Sequence, residues 1–225
     1  TVFLSRHGYF KKITPQSLRM ADVQKYKEED GPSQSCETTN KAEVMFFTNR
    51  QQVYKCRLSE FDDSKASLLG DYLPSKLGMD QDESVVRMIL PGDYSGTLLL
   101  FFENGKAARV DLSAYATTSN RRKLTGAYSD KSPLAALLHL TEDRELALYS
   151  TEPRALIFNT ALLSPKSTRT TQGVQVMTLK PKYHLSEVKP VEDTSITNLP
   201  RYRCRSIPAA GALLKEEDGE QMRLM

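Results

Sequence analysis

A β-hairpin pattern that recurs along the chain is the feature that most constrains its fold. The stretch Thr97–Leu112, TLLLFFENGKAARVDL, combines an apolar run rich in strand formers, a Glu-Asn-Gly-Lys turn and a second, alternating run. This combination is typical of a β-hairpin. The pattern returns at Val2–Ile13, Val44–Leu58 and Leu146–Leu163, and the successive steps from Val2 to Val44, Leu98 and Leu146 are 42, 54 and 48 residues. Propeller blades repeat at about 40–50 residues, so the spacing indicates a repeat protein built from blades.

Each repeat has a hairpin, a connector and a further strand. Additional strands are predicted at 84–90, 134–140, 173–179 and 201–207, where apolar or alternating runs lie between turn residues. A single hairpin exposes apolar residues on both faces, and stacking or closure of neighbouring blades buries them. We therefore expect an all-β, propeller-like fold of four-stranded blades, with four or five blades, the Tyr202 segment supplying the fifth. The repeat domain is predicted to span 1–214, followed by an acidic, flexible tail over 215–225.

Composition limits the class of protein further. With 225 residues, 39% hydrophobic and 26% charged, the chain is globular and somewhat polar. No apolar run approaches the roughly 18 residues that a membrane span needs, so no membrane association is expected. The three cysteines, Cys36, Cys56 and Cys204, are widely spaced and contain no CxxC pair, which favours reduced thiols in the cytoplasm over a zinc site or a disulfide framework. Because the chain begins within a strand pattern without Met, we expect a domain of a longer protein.

Catalytic motifs are absent from the sequence. The three histidines, His7, His139 and His184, lie in a turn, an apolar run and a polar segment, and the carboxylates are scattered through turns and loops. The sequence contains no HExxH, no GxSxG and no glycine-rich phosphate loop. We expect no catalytic residue and no metal ligand in this chain.

Basic residues are the more informative polar group, although the net charge is only +3. At least one cation follows each hairpin turn, and others lie in the connectors between hairpins. If equivalent positions of successive blades lie at equivalent places, these cations form an interrupted stripe on an outer rim, facing away from the core. Such a stripe suits duplex DNA, since phosphates attract Lys and Arg whatever the base sequence. The predicted DNA-binding residues are Lys11, Lys12, Lys55, Arg57, Lys106, Arg109, Arg121, Arg122, Lys123, Lys166 and Arg169.

The repeated hairpins resemble one known family. The units VFLSRHGYFKKI, VMFFTNRQQVYKCRL and TLLLFFENGKAARVDL are similar to the repeating unit of the C-terminal β-pinwheel domain of the A subunit of bacterial type IIA topoisomerases, DNA gyrase and topoisomerase IV. The connectors Thr168–Val174, which contains Thr-Gln-Gly-Val, and Asn120–Gly126 resemble inter-blade connectors of that family. The resemblance extends from Val2 to about Leu214.

This resemblance implies a non-catalytic domain whose basic outer edge binds and bends the DNA beside the cleavage site and so guides strand passage. It implies duplex DNA, the N-terminal cleavage domain of the same subunit and the ATPase B subunit as partners, in the bacterial cytoplasm. The domain itself needs no cofactor, whereas the holoenzyme uses ATP and Mg²⁺. The catalytic tyrosine of the family lies in the N-terminal part of the subunit, so none of the ten tyrosines here is expected to be catalytic.

One segment departs from the gyrase pattern. Gyrase carries a Gln-Arg-Arg-Gly-Gly-Lys-Gly-like box after the first hairpin, which chiral wrapping of DNA requires. Here the corresponding segment, 21–31, reads ADVQKYKEEDG, without an Arg-Arg or Gly-Gly pair and with an acidic end. This favours a topoisomerase IV-like domain, and a divergent gyrase domain stays an alternative. From the residues alone, a propeller-like scaffold that binds another protein is the second alternative.

Overall fold

The fold consists of four antiparallel sheets of four strands each. The computed structural model describes residues 1–21, 23–118 and 122–219. We name the sheets blades 1 to 4 in chain order. Their strand orders are β3-β1-β2-β6, β10-β5-β4-β7, β11-β8-β9-β14 and β15-β12-β13-β16. The strands are β1 Val2–Ser5, β2 Tyr9–Lys12, β3 Pro32–Cys36, β4 Glu43–Thr48, β5 Gln52–Arg57, β6 Asp71–Tyr72, β7 Val85–Ile89, β8 Thr97–Phe102, β9 Lys106–Asp111, β10 Lys123–Thr125, β11 Leu134–Leu140, β12 Glu145–Ser150, β13 Arg154–Asn159, β14 Val174–Gln175, β15 Leu185–Pro190 and β16 Ala212–Leu213.

Helices are short and lie between the strands. Three α-helices are described: α1 Pro15–Arg19, α2 Leu73–Lys76 and α3 Leu199–Tyr202. Four 3₁₀ turns cover Leu58–Glu60, Leu112–Tyr115, Thr160–Leu162 and Val191–Asp193. Each α-helix has a proline at its first or second position, where the missing N–H costs no helical hydrogen bond. Among the described residues, no helix is long and apolar enough to cross a bilayer.

All four hairpins predicted from the sequence are confirmed. They are the two middle strands of each blade, and their registers are equivalent: Val2 pairs with Lys12, Met45 with Lys55, Leu99 with Arg109 and Ala147 with Ile157. All six residues of β8 are buried, because a middle strand of a blade packs on both faces. The strands predicted at 84–90 and 134–140 are confirmed as β7 and β11.

Two compact units divide the chain. One comprises Thr1–Asp93 and Thr117–Ala127, with blades 1 and 2, and the other comprises Tyr94–Ala116 and Tyr128–Met225, with blades 3 and 4. In the first unit Phe10 and Phe46 are fully buried and their rings meet edge to face at 5.3 Å. Each buried Phe contributes about 1.5–3 kcal/mol through removal of its surface from water.

A second aromatic pair lies in the core of the other unit. There Phe101 and Phe158 are 6.1 Å apart, also edge to face, within a cluster that includes Leu146 and Leu185. Each unit therefore has its own apolar core between its two blades.

One strand prediction is wrong, and another is confirmed only in part. Residues 201–207 form no strand: Arg201 and Tyr202 end α3, and the following residues run to a cis Ile207–Pro208 bond. The alternation of apolar and basic residues in this segment arises because Tyr202 packs into the core, where it is 1% exposed. The segment belongs to blade 4 and supplies no fifth blade. The prediction of four or five blades is thus confirmed at four. Of the strand predicted at 173–179, only Val174–Gln175 pairs in a sheet, while Val176 and Met177 pack into the core.

The acidic segment after Leu214 was predicted to be a flexible tail over 215–225. Its described part, 215–219, folds back on blade 4, and Asp218 is fully buried there. Residues 220–225 lie outside the described ranges. The division into a domain over 1–214 and a tail stays a prediction.

Candidate nucleic-acid interface

In every blade a fourth strand pairs with the second strand of the hairpin; these fourth strands are β6, β10, β14 and β16. The segment that precedes each fourth strand runs back along that second hairpin strand. We call these segments the return segments. Each of them hydrogen-bonds to the second strand of its blade through backbone groups: Ser64 N to Lys12 O (2.7 Å), Lys55 N to Arg122 O (2.7 Å), Lys166 N to Arg109 O (2.8 Å) and Cys204 N to Ile157 O (2.9 Å). The four segments therefore lie at equivalent edges of their blades. Along the sequence they cover 61–70, 116–122, 163–173 and 203–211, of which 119–121 lie outside the described ranges.

Charge distinguishes these four equivalent segments. The return segments of blades 2, 3 and 4 each contain two cations and no acidic residue. The return segment of blade 1 instead contains Asp62 and Asp63 with a single cation, Lys65. Both aspartates are exposed. Three blade edges are therefore positive and one is negative. The cations of the three positive segments are Arg121, Arg122, Lys166, Arg169, Arg203 and Arg205.

Four of the predicted DNA-binding residues are exposed, and two of them, Arg122 and Lys166, lie in return segments. Arg57, Arg122, Lys123 and Lys166 are all exposed, and the Arg122 side chain retains 82% of its accessible surface. Arg122 and Lys123 are brought beside β5, where Lys123 Nζ lies 5.5 Å from the centre of the Tyr54 ring. Glu60 lies 3.3 Å from Arg122. An ion pair at this exposure contributes little and is readily exchanged for another anion.

Three other predicted residues have an internal role. Lys11, Lys55 and Arg109 lie in the second hairpin strand of blades 1, 2 and 3 and reach inward from it. Lys55 and Arg109 share the register position that Lys12 has in blade 1, and Lys11 lies one residue earlier. We call them the anchor cations. Lys11 is 3% exposed and Lys55 is 8% exposed, and the Arg109 side chain keeps 11% of its surface. The expectation that these residues face outward is therefore wrong.

Lys11 shows what an anchor cation does. Its Nζ donates hydrogen bonds to the carbonyl oxygens of Lys25 (3.0 Å), Ala66 (3.3 Å) and Leu68 (3.0 Å). Two of these carbonyls belong to the return segment of blade 1. Burial lowers the pKa of the Lys11 ammonium, because removal from water disfavours the charged form.

The other two anchor cations make comparable contacts. Lys55 Nζ lies 3.4 Å from Thr117 Oγ1, in the return segment of blade 2, and 4.0 Å from a Glu43 carboxylate oxygen. Arg109 donates to the Leu163 carbonyl (3.3 Å), in the return segment of blade 3, and to Asp143 (2.7 Å). Each anchor cation thus holds the return segment of its own blade.

The remaining predicted residues occupy mixed positions. Lys12 is paired with Asp63 at 3.3 Å, Lys106 is half-buried at the start of β9, and Arg169 is half-buried with Nη1 donating to the Ala114 carbonyl at 2.9 Å. Arg121 lies outside the described residues. A contact between DNA and any of the predicted residues stays a prediction.

Sequence reasoning missed Arg203 and Arg205 in the return segment of blade 4. Both are exposed, and Arg203 forms two hydrogen bonds with the Glu145 carboxylate, at 2.7 and 2.8 Å. That carboxylate raises the Arg203 pKa. The signal that identifies the segment is Gly211: like Gly173 in blade 3, it directly precedes the fourth strand at positive φ, against a carbonyl of the second strand.

The described residues contain no group of three or more His, Cys, Asp or Glu side chains that could hold a metal ion. What they offer instead is exposed guanidinium and ammonium groups on polar loops, at the same edge of three blades. Such groups bind phosphate or carboxylate anions, and Arg in particular binds them through two parallel hydrogen bonds. The arrangement can attract a polyanion, and it contains no constellation for bond-making chemistry.

Comparison with known proteins identifies relatives of this chain. Residues 42–67 and 157–192 match the family model of the DNA gyrase C-terminal domain, a beta-propeller. The A subunit of DNA topoisomerase 4 from Staphylococcus aureus is 22% identical over 182 residues, which are 79% of this chain and 23% of that subunit. This chain therefore spans less than a quarter of the length of that relative.

Solved structures share the fold. The C-terminal domain of a DNA topoisomerase IV superposes with a TM-score of 0.74 at 22% identity, over 86% of this chain and 61% of that one. A DNA gyrase A C-terminal domain gives a TM-score of 0.58 at 17% identity, over 97% of this chain and 79% of that one. The C-terminal domain of Escherichia coli ParC gives 0.63 at 14% identity, over 83% and 77%. The resemblance predicted from the hairpins is therefore confirmed: the chain matches the DNA gyrase C-terminal domain model in two segments and is similar in sequence to DNA topoisomerase 4 A subunits, and it shares its fold with C-terminal domains of topoisomerase IV and gyrase A.

Proposed function

We propose that this chain is a non-catalytic DNA-binding and DNA-bending domain of a type IIA topoisomerase A subunit. One observation carries the proposal: the return segments of three blades have cations without acidic residues, at equivalent and exposed edges. Phosphate oxygens on a duplex contact these cations without base readout. The relatives and the shared fold support the same function.

Bending of the bound duplex is part of this proposal. The family that the repeats resemble bends the DNA it binds, and smooth bending of 20–30 base pairs by 40–90° costs on the order of 1–6 kcal/mol. Contacts with phosphates offset this cost, because each one releases condensed counterions. Holding the duplex in this way guides one DNA segment toward strand passage.

The acidic edge of blade 1 supports a topoisomerase IV-like role. Asp62 and Asp63 repel phosphates at the position where the other blades attract them. The segment 21–31 adds Glu28, Glu29 and Asp30 between β2 and β3. Repulsion of phosphates at blade 1 favours DNA binding without the complete wrapping that the gyrase box serves.

The wider assembly belongs to the same proposal. The chain acts together with an N-terminal cleavage domain that carries the catalytic tyrosine and with an ATPase B subunit, in the bacterial cytoplasm. ATP and Mg²⁺ serve those other parts of the holoenzyme. This domain supplies the positioning of DNA.

A second candidate function is a scaffold that binds another protein. The exposed apolar side chains of Met20 (83%) and Val23 (82%), on the loop after α1, favour it. Exposed apolar residues of this size are more typical of protein contacts than of DNA contacts. They are few, so the charged edges carry more weight.

Salt dependence of DNA binding tests the proposal. We expect the domain to bind a duplex of about 40 base pairs, with log K falling linearly as log salt rises, by about 0.9 per phosphate contact. Fluorescence anisotropy of a labelled duplex measures this slope. The double variant Arg122→Gln and Lys123→Gln removes two contacts, so its slope is smaller by about 1.8.

The matched control removes the same charge elsewhere. Lys131→Gln with Lys182→Gln changes two exposed lysines outside the return segments, and its slope should equal that of the unmodified domain. Equal losses in both double variants would show that net charge, and not the blade edges, governs binding. If no duplex binds at low salt, the DNA-binding function is wrong and the scaffold is the better candidate.

A further inference from the structure

Asp218 is a buried carboxylate in a segment whose sequence indicates a solvated tail. Its Oδ1 accepts hydrogen bonds from the Thr197 N–H and hydroxyl, both at 2.8 Å, and from the Asn198 N–H at 3.3 Å. Its Oδ2 accepts the Tyr202 hydroxyl at 2.8 Å. The residue is 0% exposed. Removal of a carboxylate from water costs free energy, and hydrogen-bond donors must compensate for the lost hydration. Here four donors do so.

These donors surround α3, which leads directly into the return segment of blade 4. Asn198 precedes the helix and its side chain makes no cap hydrogen bond, so the Asp218 carboxylate serves the backbone N–H groups there. Tyr202 ends the helix and packs with Ile157 in the apolar cluster of blade 4. Arg203 follows at once and bridges to Ile157. The contacts of Asp218 therefore fix the start of the segment that carries Arg203 and Arg205.

Blade 4 lacks the device that the other three blades use. At the register position of Lys55 and Arg109 it has Ile157, and at that of Lys11 it has Leu156. Both are buried, and neither has a donor for a carbonyl of the return segment. Without an anchor cation, the return segment of blade 4 needs another polar attachment. Within the described residues, Asp218 is the side chain that contacts both ends of α3.

We propose that Asp218 is the positioning residue of blade 4, holding α3 and the return segment 203–211 so that Arg203 and Arg205 face bound DNA. Its carboxylate replaces the anchor cation by a contact of opposite charge, supplied from the segment after the last strand. The structural half of this inference stands on the contacts alone, whereas the DNA half rests on the proposed function.

The sign of the effect on DNA separates this role from simple electrostatics. Asp218→Asn removes a negative charge, so a purely electrostatic effect would strengthen binding to DNA. Release of Arg203 and Arg205 would instead weaken binding and lower the salt slope by about 1.8, since two phosphate contacts are lost. The matched control is Glu217→Gln, which removes the same charge from an exposed neighbour.

Tyr202→Phe provides a variant without any change of charge. It deletes the hydroxyl that donates to Asp218 and accepts the Lys215 N–H at 3.2 Å, and leaves the ring in the core. We expect a smaller loss of slope in the same direction. Because the ring remains, this variant keeps the inference testable if Asp218→Asn fails to fold.

Hydrogen exchange provides a readout that does not depend on DNA. In Asp218→Asn and in Tyr202→Phe, we expect faster amide exchange at 197–205, with exchange in β8 and β12 unchanged, and no change in Glu217→Gln. Unchanged exchange at 197–205 would overturn the positioning role, whatever DNA does. Faster exchange with unchanged or stronger DNA binding would overturn the DNA half. A domain that binds no duplex at all would contradict the proposed function, and the exchange result would still decide the structural half.

Discussion

Lys11 Nζ donates a hydrogen bond to the carbonyl oxygen of Leu68 at 3.0 Å, across 57 residues of sequence. The contact joins the second strand of blade 1 to its own return segment, and Lys55 and Arg109 join the equivalent parts of blades 2 and 3. The repeated cation after each hairpin turn therefore stabilises the blade. The cations available to DNA lie instead in the return segments and, with Lys123, at the start of β10.

Lys11→Met should destabilise the domain and leave DNA binding unchanged. The substitution keeps an apolar stem and removes the donor of three carbonyl groups, at an expected cost of about 2–3 kcal/mol for hydrogen bonds to a charged group. Urea unfolding measures the free energy, and the salt slope of duplex binding measures the contact with phosphate. If stability were unchanged and the slope fell by about 0.9, Lys11 would be a phosphate contact, as the sequence pattern predicts.

Neutralising the acidic edge of blade 1 should strengthen DNA binding. In Asp62→Asn with Asp63→Asn, repulsion of phosphates is removed at that edge, so affinity should rise several-fold at low salt and the gain should fade as salt screens it. The control Asp130→Asn with Glu142→Gln removes the same charge from exposed positions outside the return segments. An equal gain in both variants would show that the effect comes from net charge alone.

Gly173→Ala should destabilise the domain by more than Gly78→Ala does. Both glycines have positive φ, +73° and +62°, where a left-handed conformation costs a residue with a Cβ about 1–2 kcal/mol. At Gly173 the added Cβ would also meet the Ala107 carbonyl, whereas Gly78 has open space around it. Thermal unfolding of both variants gives the comparison. Equal losses would mean that the return segment moves aside without cost.

Asp218 makes the stability of the folded domain depend on pH, and its hydrogen bonds determine the sign of that dependence. The donated Thr197 N–H, with the Tyr202 hydroxyl and further donors, lowers the Asp218 pKa to about 2 against the opposing effect of burial. A carboxyl with a pKa near 3.9 in the unfolded chain therefore stabilises the folded state above that pH, and the contribution is lost as pH falls toward 2.

The unmodified domain should accordingly melt at a higher temperature than Asp218→Asn at pH 7, with the difference shrinking between about pH 5 and pH 2.5. Other carboxyls with lowered pKa, such as Asp143 and Glu152, are present in both proteins and cancel in the difference. A difference in melting temperature that stays constant down to pH 2.5 would contradict the role of the ionised carboxylate.

The hairpins, their turns and the number of blades were predictable because local patterns determine them. Alternation and an Asn-Gly turn act within about fifteen residues, and four such units imply at least four blades. The partner of a long side chain cannot be predicted from a local pattern in the same way. Lys11 and Lys12 are adjacent and chemically identical, yet strand alternation places one among the carbonyls of a loop more than fifty residues away and the other beside Asp63.

The return segment of blade 4 was missed for a related reason. Tyr202 alternates with arginines and so imitates a strand, while the partner that holds it, Asp218, is sixteen residues away in an acidic stretch. No period in the sequence links the two. Comparison with Gly173 and its preceding cations would have indicated that Gly211 ends an equivalent segment.

The most direct test of the account is the salt dependence of duplex binding by the unmodified domain. If the six cations Arg122, Lys123, Lys166, Arg169, Arg203 and Arg205 contact phosphates, log K should fall against log salt with a slope of about 5, at about 0.9 for each contact. A slope of about 3 to 5, reduced in the Arg122→Gln and Lys123→Gln variant, is the predicted result. A slope near zero, or no binding of a 40-base-pair duplex at low ionic strength (about 50 mM salt), would contradict it.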